Sequence, residues 1–261
     1  MLDLRGSKGF ILDMDGTFFL GDQLLPGALE LLELFNRKGL PFYFLTNNSS
    51  HGRGDYVKKL VGFGVRAGDA RVFTSGDATI GFLQQNYPGS SVFLMGTESL
   101  ETDFRSSRIK LADEAPEVLV LGYDTSLTYK KLCKFCGFVR QGLPYLATHP
   151  DINFPTSNGL IPDIGAIMAL VQASTGRTAD KIFGKPDRNI IVQLAIRMGV
   201  APENLVMVGD RLYTDIALGT TAGMTTVLVL SGETKVEDLQ ETPYKPDYVC
   251  RDLADLVSLL G

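Results

Sequence analysis

Several short apolar runs in this chain end abruptly at polar residues and are followed by a helical pattern. These runs, which are often β-branched, lie at 9–17, 41–50, 181–187, 204–211 and 225–232. Near-continuous apolar strands that alternate with helices are typical of a parallel sheet covered on both faces. Helices are predicted at 26–39 and 187–199, because each stretch has a helical pattern and ends at a glycine. The chain is therefore predicted to have an α/β fold.

A long segment between the second and third of these runs has strands and helices of its own. Strand-like runs lie at 91–96, 117–124 and 144–151, and helical stretches separate them. A unit of about a hundred residues with three strands can carry its own core. We therefore predict an inserted domain over 77–180, and a core domain made of 1–76 and 181–261.

Composition and charge limit the kinds of molecule that this protein is expected to bind. The 261 residues carry a net charge of −5 and contain no block of lysine and arginine, so a nucleic-acid partner is not indicated. No apolar run reaches the roughly 18 residues needed to span a bilayer, and only three cysteines occur. These features predict a cytoplasmic protein that acts on a small molecule and binds no membrane.

Two aspartates, Asp13 and Asp15, follow the first apolar run with one residue between them. Like charges placed so close repel, so the arrangement costs stability unless a cation, a raised pKa or a reaction requires it. Gly16 allows the sharp turn that would bring both carboxylates into one small volume. Taken alone, the pair also fits a solvated turn.

Further polar residues lie at the ends of the other predicted strands and are expected to cluster with Asp13 and Asp15. Because ligands bind beyond the carboxyl ends of parallel strands, we expect one cluster at that edge, made of Asp13, Asp15, Thr46, Asn47, Lys185, Asp210 and Asp215. Several carboxylates together suit a hard cation such as Mg²⁺. An ammonium, a hydroxyl and an amide suit the oxygens of a phosphoryl group. The set predicts phosphoryl transfer, in which one aspartate attacks phosphorus and the other moves a proton.

Four ordered motifs resemble those of the haloacid dehalogenase (HAD) superfamily phosphatases. They are D-x-D-G-T (13–17), Thr-Asn (46–47), Gly-Lys-Pro (184–186) and Gly-Asp-Arg-x-x-Thr-Asp (209–215). The insertion, with the sequences ATHPD (147–151) and GKPD (184–187), is similar to the NagD-like or 4-nitrophenylphosphatase-like subgroup, subfamily IIA. The resemblance implies the HAD-like fold, a three-layer Rossmann-like core with a parallel sheet plus an inserted α/β cap domain.

The resemblance assigns roles to the carboxylates. It implies that Asp13 is the nucleophile and Asp15 the general acid and base. Mg²⁺ would be held by the Asp13 carboxylate, the Asp15 backbone carbonyl and the Asp210 carboxylate. Asp215 would support the metal waters or Lys185.

The resemblance also implies which residues bind substrate. Thr46, Asn47 and Lys185 would hold the phosphoryl oxygens. In the cap, relatives usually have Asn-Pro-Asp where this chain has 149–151, so His149 and Asp151 are expected near the substrate. On residue type alone, His149 also fits a loop or interface histidine, and Asp151 the cap of a turn.

These observations together predict an Mg²⁺-dependent phosphatase that forms an aspartyl-phosphate on Asp13. Its expected substrates are small phosphate monoesters, such as a sugar phosphate, glycerol phosphate or a nucleoside monophosphate, with 4-nitrophenyl phosphate as an assay substrate. The alternative is a regulatory protein of the same fold that accepts or binds phosphate without hydrolysis. The resemblance further implies a homodimer formed through the cap.

Overall fold

The structure, a computed structural model, describes residues 4–156 and 159–261. Its strands, in chain order, are β1 (Gly9–Leu12), β2 (Phe19–Leu20), β3 (Gln23–Leu24), β4 (Phe42–Thr46), β5 (Val72–Thr74), β6 (Ser91–Met95), β7 (Lys110–Leu111), β8 (Val118–Leu121), β9 (Tyr145–Ala147), β10 (Asn153–Thr156), β11 (Gly159–Pro162), β12 (Lys181–Ile182), β13 (Leu205–Gly209), β14 (Thr225–Val229) and β15 (Tyr248–Cys250). Its α-helices are α1 (Ala28–Lys38), α2 (Arg53–Gly62), α3 (Ser75–Asn86), α4 (Glu98–Ser106), α5 (Tyr129–Arg140), α6 (Ile164–Thr175), α7 (Asn189–Met198), α8 (Ala217–Ala222) and α9 (Leu253–Leu260).

The chain divides into two compact units. Unit 1 contains the residues up to Thr46, then Val57–Phe73 and Lys185–Gly261. Unit 2 contains Asn47–Tyr56 and Thr74–Gly184, so it includes a short segment well before the insertion predicted at 77–180.

Unit 1 is built on a six-stranded sheet in the order β15-β14-β13-β1-β4-β5. The pairs β15–β14, β14–β13, β13–β1 and β1–β4 are all parallel. Every residue of β1, β13 and β14 is buried, so both faces of these strands are covered. The predicted α/β fold with a parallel sheet is confirmed.

The register of the central strands decides where the polar residues of unit 1 lie. Leu12 of β1 pairs with Val208 of β13 and with Phe44 of β4. The next residue, Asp13, continues the ladder, since its backbone N–H donates to the Val208 carbonyl at 2.9 Å. Asp13 and Asp210 therefore follow adjacent strands at the same end of the sheet.

Unit 2 has its own sheet of five strands in the order β12-β9-β8-β6-β7, and all the neighbouring strands run parallel. Its core packs α5 and α6 against this sheet, and includes an edge-on contact between the rings of Phe135 and Tyr145 with centroids 5.1 Å apart. A separate antiparallel hairpin is formed by β10 and β11.

The prediction that segment 181–187 adds a strand to the core sheet is wrong. Its strand, β12, has only two residues and pairs with Leu146 and Ala147 of β9 in unit 2. A short apolar run shows that a strand forms but not which sheet it joins, because that depends on pairing with residues distant in sequence. Among the described residues, none of the helices has both the length and the apolar composition that crossing a bilayer requires.

Candidate active site

The turn after β1 is closed by backbone hydrogen bonds that only a glycine at position 16 permits. The Gly16 N–H donates to the Phe19 carbonyl at 2.8 Å, and Gly16 has a φ of 89°, in the left-handed region. A Cβ atom on Gly16 would lie 2.5 Å from Oδ2 of Asp210, too close for any real side chain. Gly16 therefore both shapes the turn and leaves room for the Asp210 carboxylate.

The Asp210 side chain is held from several directions and is only 2% exposed. Thr17 Oγ1 donates to Asp210 Oδ1 at 3.3 Å, and the backbone N–H of Glu233 donates to Oδ2 at 2.7 Å. A Cβ atom on Gly232 would overlap the same carboxylate. Two glycines thus enclose Asp210, which fixes where its oxygens point.

Lys185 is 3% exposed and is bound by two carboxylates. Its Nζ contacts Asp13 Oδ1 and lies 2.7 Å from Asp215 Oδ1. Burial alone would lower the pKa of the lysine, but Asp13 and Asp215 raise it above its usual value. Lys185 is therefore a permanent positive charge in the cluster.

Three buried carboxylates share a small volume in unit 1. Asp13, Asp210 and Asp215 each offer an oxygen, and these atoms lie within 4.8 Å of one another. Burial, followed by the Asp13 and Asp215 charges, raises the pKa of Asp210 well above its usual value. Burial also raises the pKa of Asp215 to about 6, although Lys185 opposes the shift. The positive charges of Lys185 and Arg211 do not balance these three carboxylates, so the carboxylate oxygens fit a further cation such as Mg²⁺.

Asp15 is partly buried in the same unit. Burial and, after it, the neighbouring Asp13 carboxylate raise the pKa of Asp15 to about 6, while Lys59, Arg211 and Lys185 act in the opposite direction. A carboxyl group with a pKa near the working pH can both give and take a proton.

The remaining predicted site residues are divided between the two units. Thr46 is buried at the end of β4 in unit 1. Asn47 belongs to unit 2, where its Nδ2 donates to Asp151 Oδ1 at 3.1 Å. The structure thus brings Asn47 and Asp151 together, although they lie far apart in sequence.

His149 is fully buried in unit 2, with an exposed fraction of 0%. Its Nε2 lies 3.0 Å from Asp163 Oδ1 and its Nδ1 lies 3.1 Å from Thr148 Oγ1. The sequence reasoning missed Asp163, although an aspartate immediately before an apolar helical run is a signal for a helix N-cap. Asp163 does cap α6, since its side chain accepts from the Ile164 N–H.

Arg211 and Glu233 were also missed. Arg211 Nε lies 2.9 Å from Glu233 Oε2. Burial would lower the pKa of Arg211, but Asp210, Asp13 and Glu233 raise it. Arg211 lies within the Gly-Asp-Arg motif, so the sequence does indicate that it is close to the site. Nothing in the sequence around Glu233 indicates that it lies there.

Known proteins share this architecture over their whole length. Two family profiles match, described as haloacid dehalogenase-like hydrolase over residues 10–110 and HAD-hydrolase-like over residues 182–256. The structure of a 4-nitrophenylphosphatase from Thermotoga maritima is 46% identical, covers 100% of both chains and has a TM-score of 0.97. NagD from E. coli K-12 is 31% identical over 95% of this chain and 98% of its own, with a TM-score of 0.87.

A curated relative, an acid sugar phosphatase from Staphylococcus aureus, is 33% identical over 98% of this chain and 99% of its own length. The parallel sheet of unit 1 and its carboxylate cluster define the HAD-like class of fold. The chain belongs to the haloacid dehalogenase-like hydrolase family, in its NagD-like subgroup, and is a hydrolytic enzyme by that membership. The predicted family and fold are confirmed.

Proposed function

We propose that this protein is an Mg²⁺-dependent phosphatase that hydrolyses small phosphate monoesters through an aspartyl-phosphate on Asp13. The observation that carries the proposal is the buried cluster of Asp13, Asp210 and Asp215, in which Lys185 pairs with Asp13 and Asp215. Such a cluster suits a metal ion and a phosphoryl group together. The names of the relatives, an acid sugar phosphatase and a 4-nitrophenylphosphatase, support the same reaction.

The Asp13 and Asp210 carboxylates and the Asp15 backbone carbonyl would hold Mg²⁺, with Asp215 supporting Lys185 and the metal's water molecules. When bound, the ion supplies positive charge that offsets both the carboxylates and the phosphoryl oxygens. Their burial and mutual proximity fit this role.

The covalent steps use the two aspartates of the first motif. An Asp13 carboxylate oxygen attacks phosphorus and the ester P–O bond breaks, while Asp15 gives its proton to the departing alkoxide oxygen. Asp15 then takes a proton from the water that attacks phosphorus, which releases phosphate and restores Asp13. The pKa of Asp15, about 6, suits both proton transfers.

Lys185, Thr46 and Asn47 would hold the phosphoryl oxygens during these steps. Asp151 would contact the rest of the substrate, next to Asn47. Sugar phosphates are the first class to examine because of the acid sugar phosphatase relative, followed by glycerol phosphate and nucleoside monophosphates.

The test is hydrolysis of 4-nitrophenyl phosphate with Mg²⁺ or with EDTA, by the wild type and by Asp13→Asn. We expect release of 4-nitrophenol that needs Mg²⁺ and is lost in the variant. Equal rates with and without the metal would contradict the metal requirement, and activity in the variant would contradict the covalent step. Trapping of Asp13 by a phosphate mimic without turnover would support a phosphate-binding regulatory protein instead.

The assembly and location predicted from the sequence also remain proposals, namely a cytoplasmic homodimer formed through unit 2. Unit 2 exposes the large apolar side chains of Ile152, Leu160 and Leu170, which an interface with a second copy would cover. Light scattering on the purified protein tests the dimer, and Leu160→Lys should shift it towards monomer.

A further inference from the structure

A chain of buried hydrogen bonds runs through unit 2 and has His149 at its centre. Ser49 Oγ lies 2.8 Å from Thr148 Oγ1, which lies 3.1 Å from Nδ1 of His149. On the other side of the ring, Nε2 lies 3.0 Å from Asp163 Oδ1. All four side chains are buried. The imidazole thus joins the segment after β4, the loop after β9 and the start of α6.

The Asp163 carboxylate fixes one proton of the ring. A carboxylate oxygen accepts hydrogen bonds, so Nε2 carries the hydrogen that faces Asp163. Ser49 Oγ accepts from the Tyr123 N–H at 2.9 Å, and the Ser49 and Thr148 hydroxyls share a hydrogen bond. The Thr148 hydroxyl also lies within hydrogen-bond distance of Nδ1, so both ring nitrogens have partners.

The same chain of contacts encloses Asp151, the predicted substrate contact. Two residues after His149, the Asp151 carbonyl accepts from the Gly165 N–H in the first turn of α6 at 2.7 Å. Asp163 caps that turn and contacts His149. Hydrogen bonds therefore connect both ends of the segment 149–151 to the start of α6. The Asp151 side chain leaves this loop and accepts from Asn47.

Gly184 packs closely against both His149 and Asn47. A Cβ atom on Gly184 would lie 2.7 Å from Asn47 Oδ1 and 2.8 Å from Cβ of His149. His149 and Asn47 therefore both border the Gly184 backbone.

We propose that His149 and Asp163 are a positioning pair that holds the Asn47 and Asp151 side chains in the arrangement that binds the substrate. The proposal rests on the phosphatase function proposed above. In this proposal His149 supports the substrate-binding residues and does not bind the substrate itself, because both of its ring nitrogens have hydrogen-bond partners within unit 2.

The kinetic test compares His149→Gln and Asp163→Asn with His51→Gln, a matched control because His51 is the only other histidine and is exposed. We expect KM for a sugar phosphate to rise about tenfold in the first two variants, with kcat within about threefold of the wild type. The control should change neither constant. Unchanged KM in both variants, with or without a lower Tm, would overturn the positioning role.

A second measurement does not depend on turnover and protects the test against a variant that fails to fold. In the wild type, ¹⁵N-labelled histidine should give two sets of ring signals, and His51→Gln assigns them. The His149 ring should carry a slowly exchanging proton on Nε2, as its hydrogen bond to Asp163 requires. A ring without a proton on Nε2, or with one that exchanges rapidly, would overturn the proposal. The expected spectrum in a protein that hydrolyses no phosphate ester would refute the phosphatase function, and with it the substrate role of the pair.

Discussion

The two units each contain a buried group of side chains of the types that bind metals, and the two groups differ in their hydrogen bonding. In unit 1 the group is Asp13, Asp210 and Asp215, and in unit 2 it is His149, Asp151 and Asp163. Both groups have their ligand atoms within 4.8 Å of one another and both are buried. Geometry alone would give them the same function.

Hydrogen bonding separates them. In unit 1 the carboxylates outnumber Lys185 and Arg211, and the pKa values of Asp210 and Asp215 are raised as a result of burial and of neighbouring carboxylates. In unit 2 both ring nitrogens of His149 have hydrogen-bond partners, and Asp151 accepts from Asn47. A buried group whose polar atoms are satisfied within the fold holds structure, whereas buried carboxylates with raised pKa values indicate a functional site.

The largest effect is expected for Asp13→Asn, which breaks the function of the unit 1 group and keeps its shape. We expect kcat to fall by about 10⁴-fold or more, because an amide is a poor nucleophile. The fold should survive, since the change also removes a charge that repels Asp210. Steady-state kinetics beside the exposed control Asp22→Asn measures the loss, and a decrease below tenfold would refute covalent catalysis on Asp13.

Mg²⁺ should stabilise the protein through the unit 1 group only. At about 100 times its Kd the ion should add about 2.7 kcal/mol to the free energy of unfolding. Asp210→Asn should lose this response, and His149→Gln should keep it. Thermal unfolding with and without Mg²⁺ measures both, and a response that survives in Asp210→Asn would mean that the ion binds elsewhere.

Much of the unit 1 site could be predicted because its residues follow strands that the sequence reveals. Asp13, Thr46 and Asp210 each stand at the end of an apolar run, and parallel strands bring their carboxyl ends to one edge. The enclosure of Asp210 by Gly232 could not be predicted, because a glycine in a loop gives no sign of what it packs against.

Only two residues of the unit 2 group could be predicted from the sequence. His149 and Asp151 lie in one motif, but the hairpin of β10 and β11 separates Asp163 from them in the sequence, although Asp163 contacts His149 in the structure. The motif suggested a substrate contact because motifs record residue types and not burial. The fully buried ring and its two partners emerge only from tertiary packing.

The pH dependence of stability should report the raised pKa values of the unit 1 carboxyl groups. The folded pKa values of Asp15 and Asp215, about 6, lie above the ordinary value of 3.8, so the folded state holds more protons between these values. The stability of the metal-free protein should therefore decrease as pH rises from about 4 to about 6, by about 2 kcal/mol for each of the two groups. Urea unfolding across this range measures it. Asp215→Asn should flatten the profile, and an identical profile in the variant and the wild type would contradict the raised pKa of Asp215.

A smaller loss is expected for Gly16→Ala, which places a methyl group against the Asp210 carboxylate. Gly21→Ala is a matched control, because Gly21 has a φ of 58° and nothing within 4 Å of the added atom. The left-handed backbone should lower the free energy of unfolding of both variants by about 1 kcal/mol. For Gly16→Ala it should fall by about 1–2 kcal/mol more, and this variant should bind Mg²⁺ more weakly. Equal unfolding free energies in the two variants would show that the turn can move away from Asp210.

The smallest effect should come from Glu233→Gln, at the edge of the unit 1 group. The Glu233 side chain is 40% exposed where it pairs with Arg211, so the variant should lose less than about 1 kcal/mol. Its backbone N–H still donates to Asp210, so the stabilisation by Mg²⁺ should not change. Arg251→Gln, in a surface pair where the arginine is 81% exposed, gives the scale for an ion pair outside the site. If Glu233→Gln weakens the stabilisation by Mg²⁺ while Arg251→Gln does not, the charge of Glu233 contributes to metal binding. In that case Arg211, its ion-pair partner, is also part of the site.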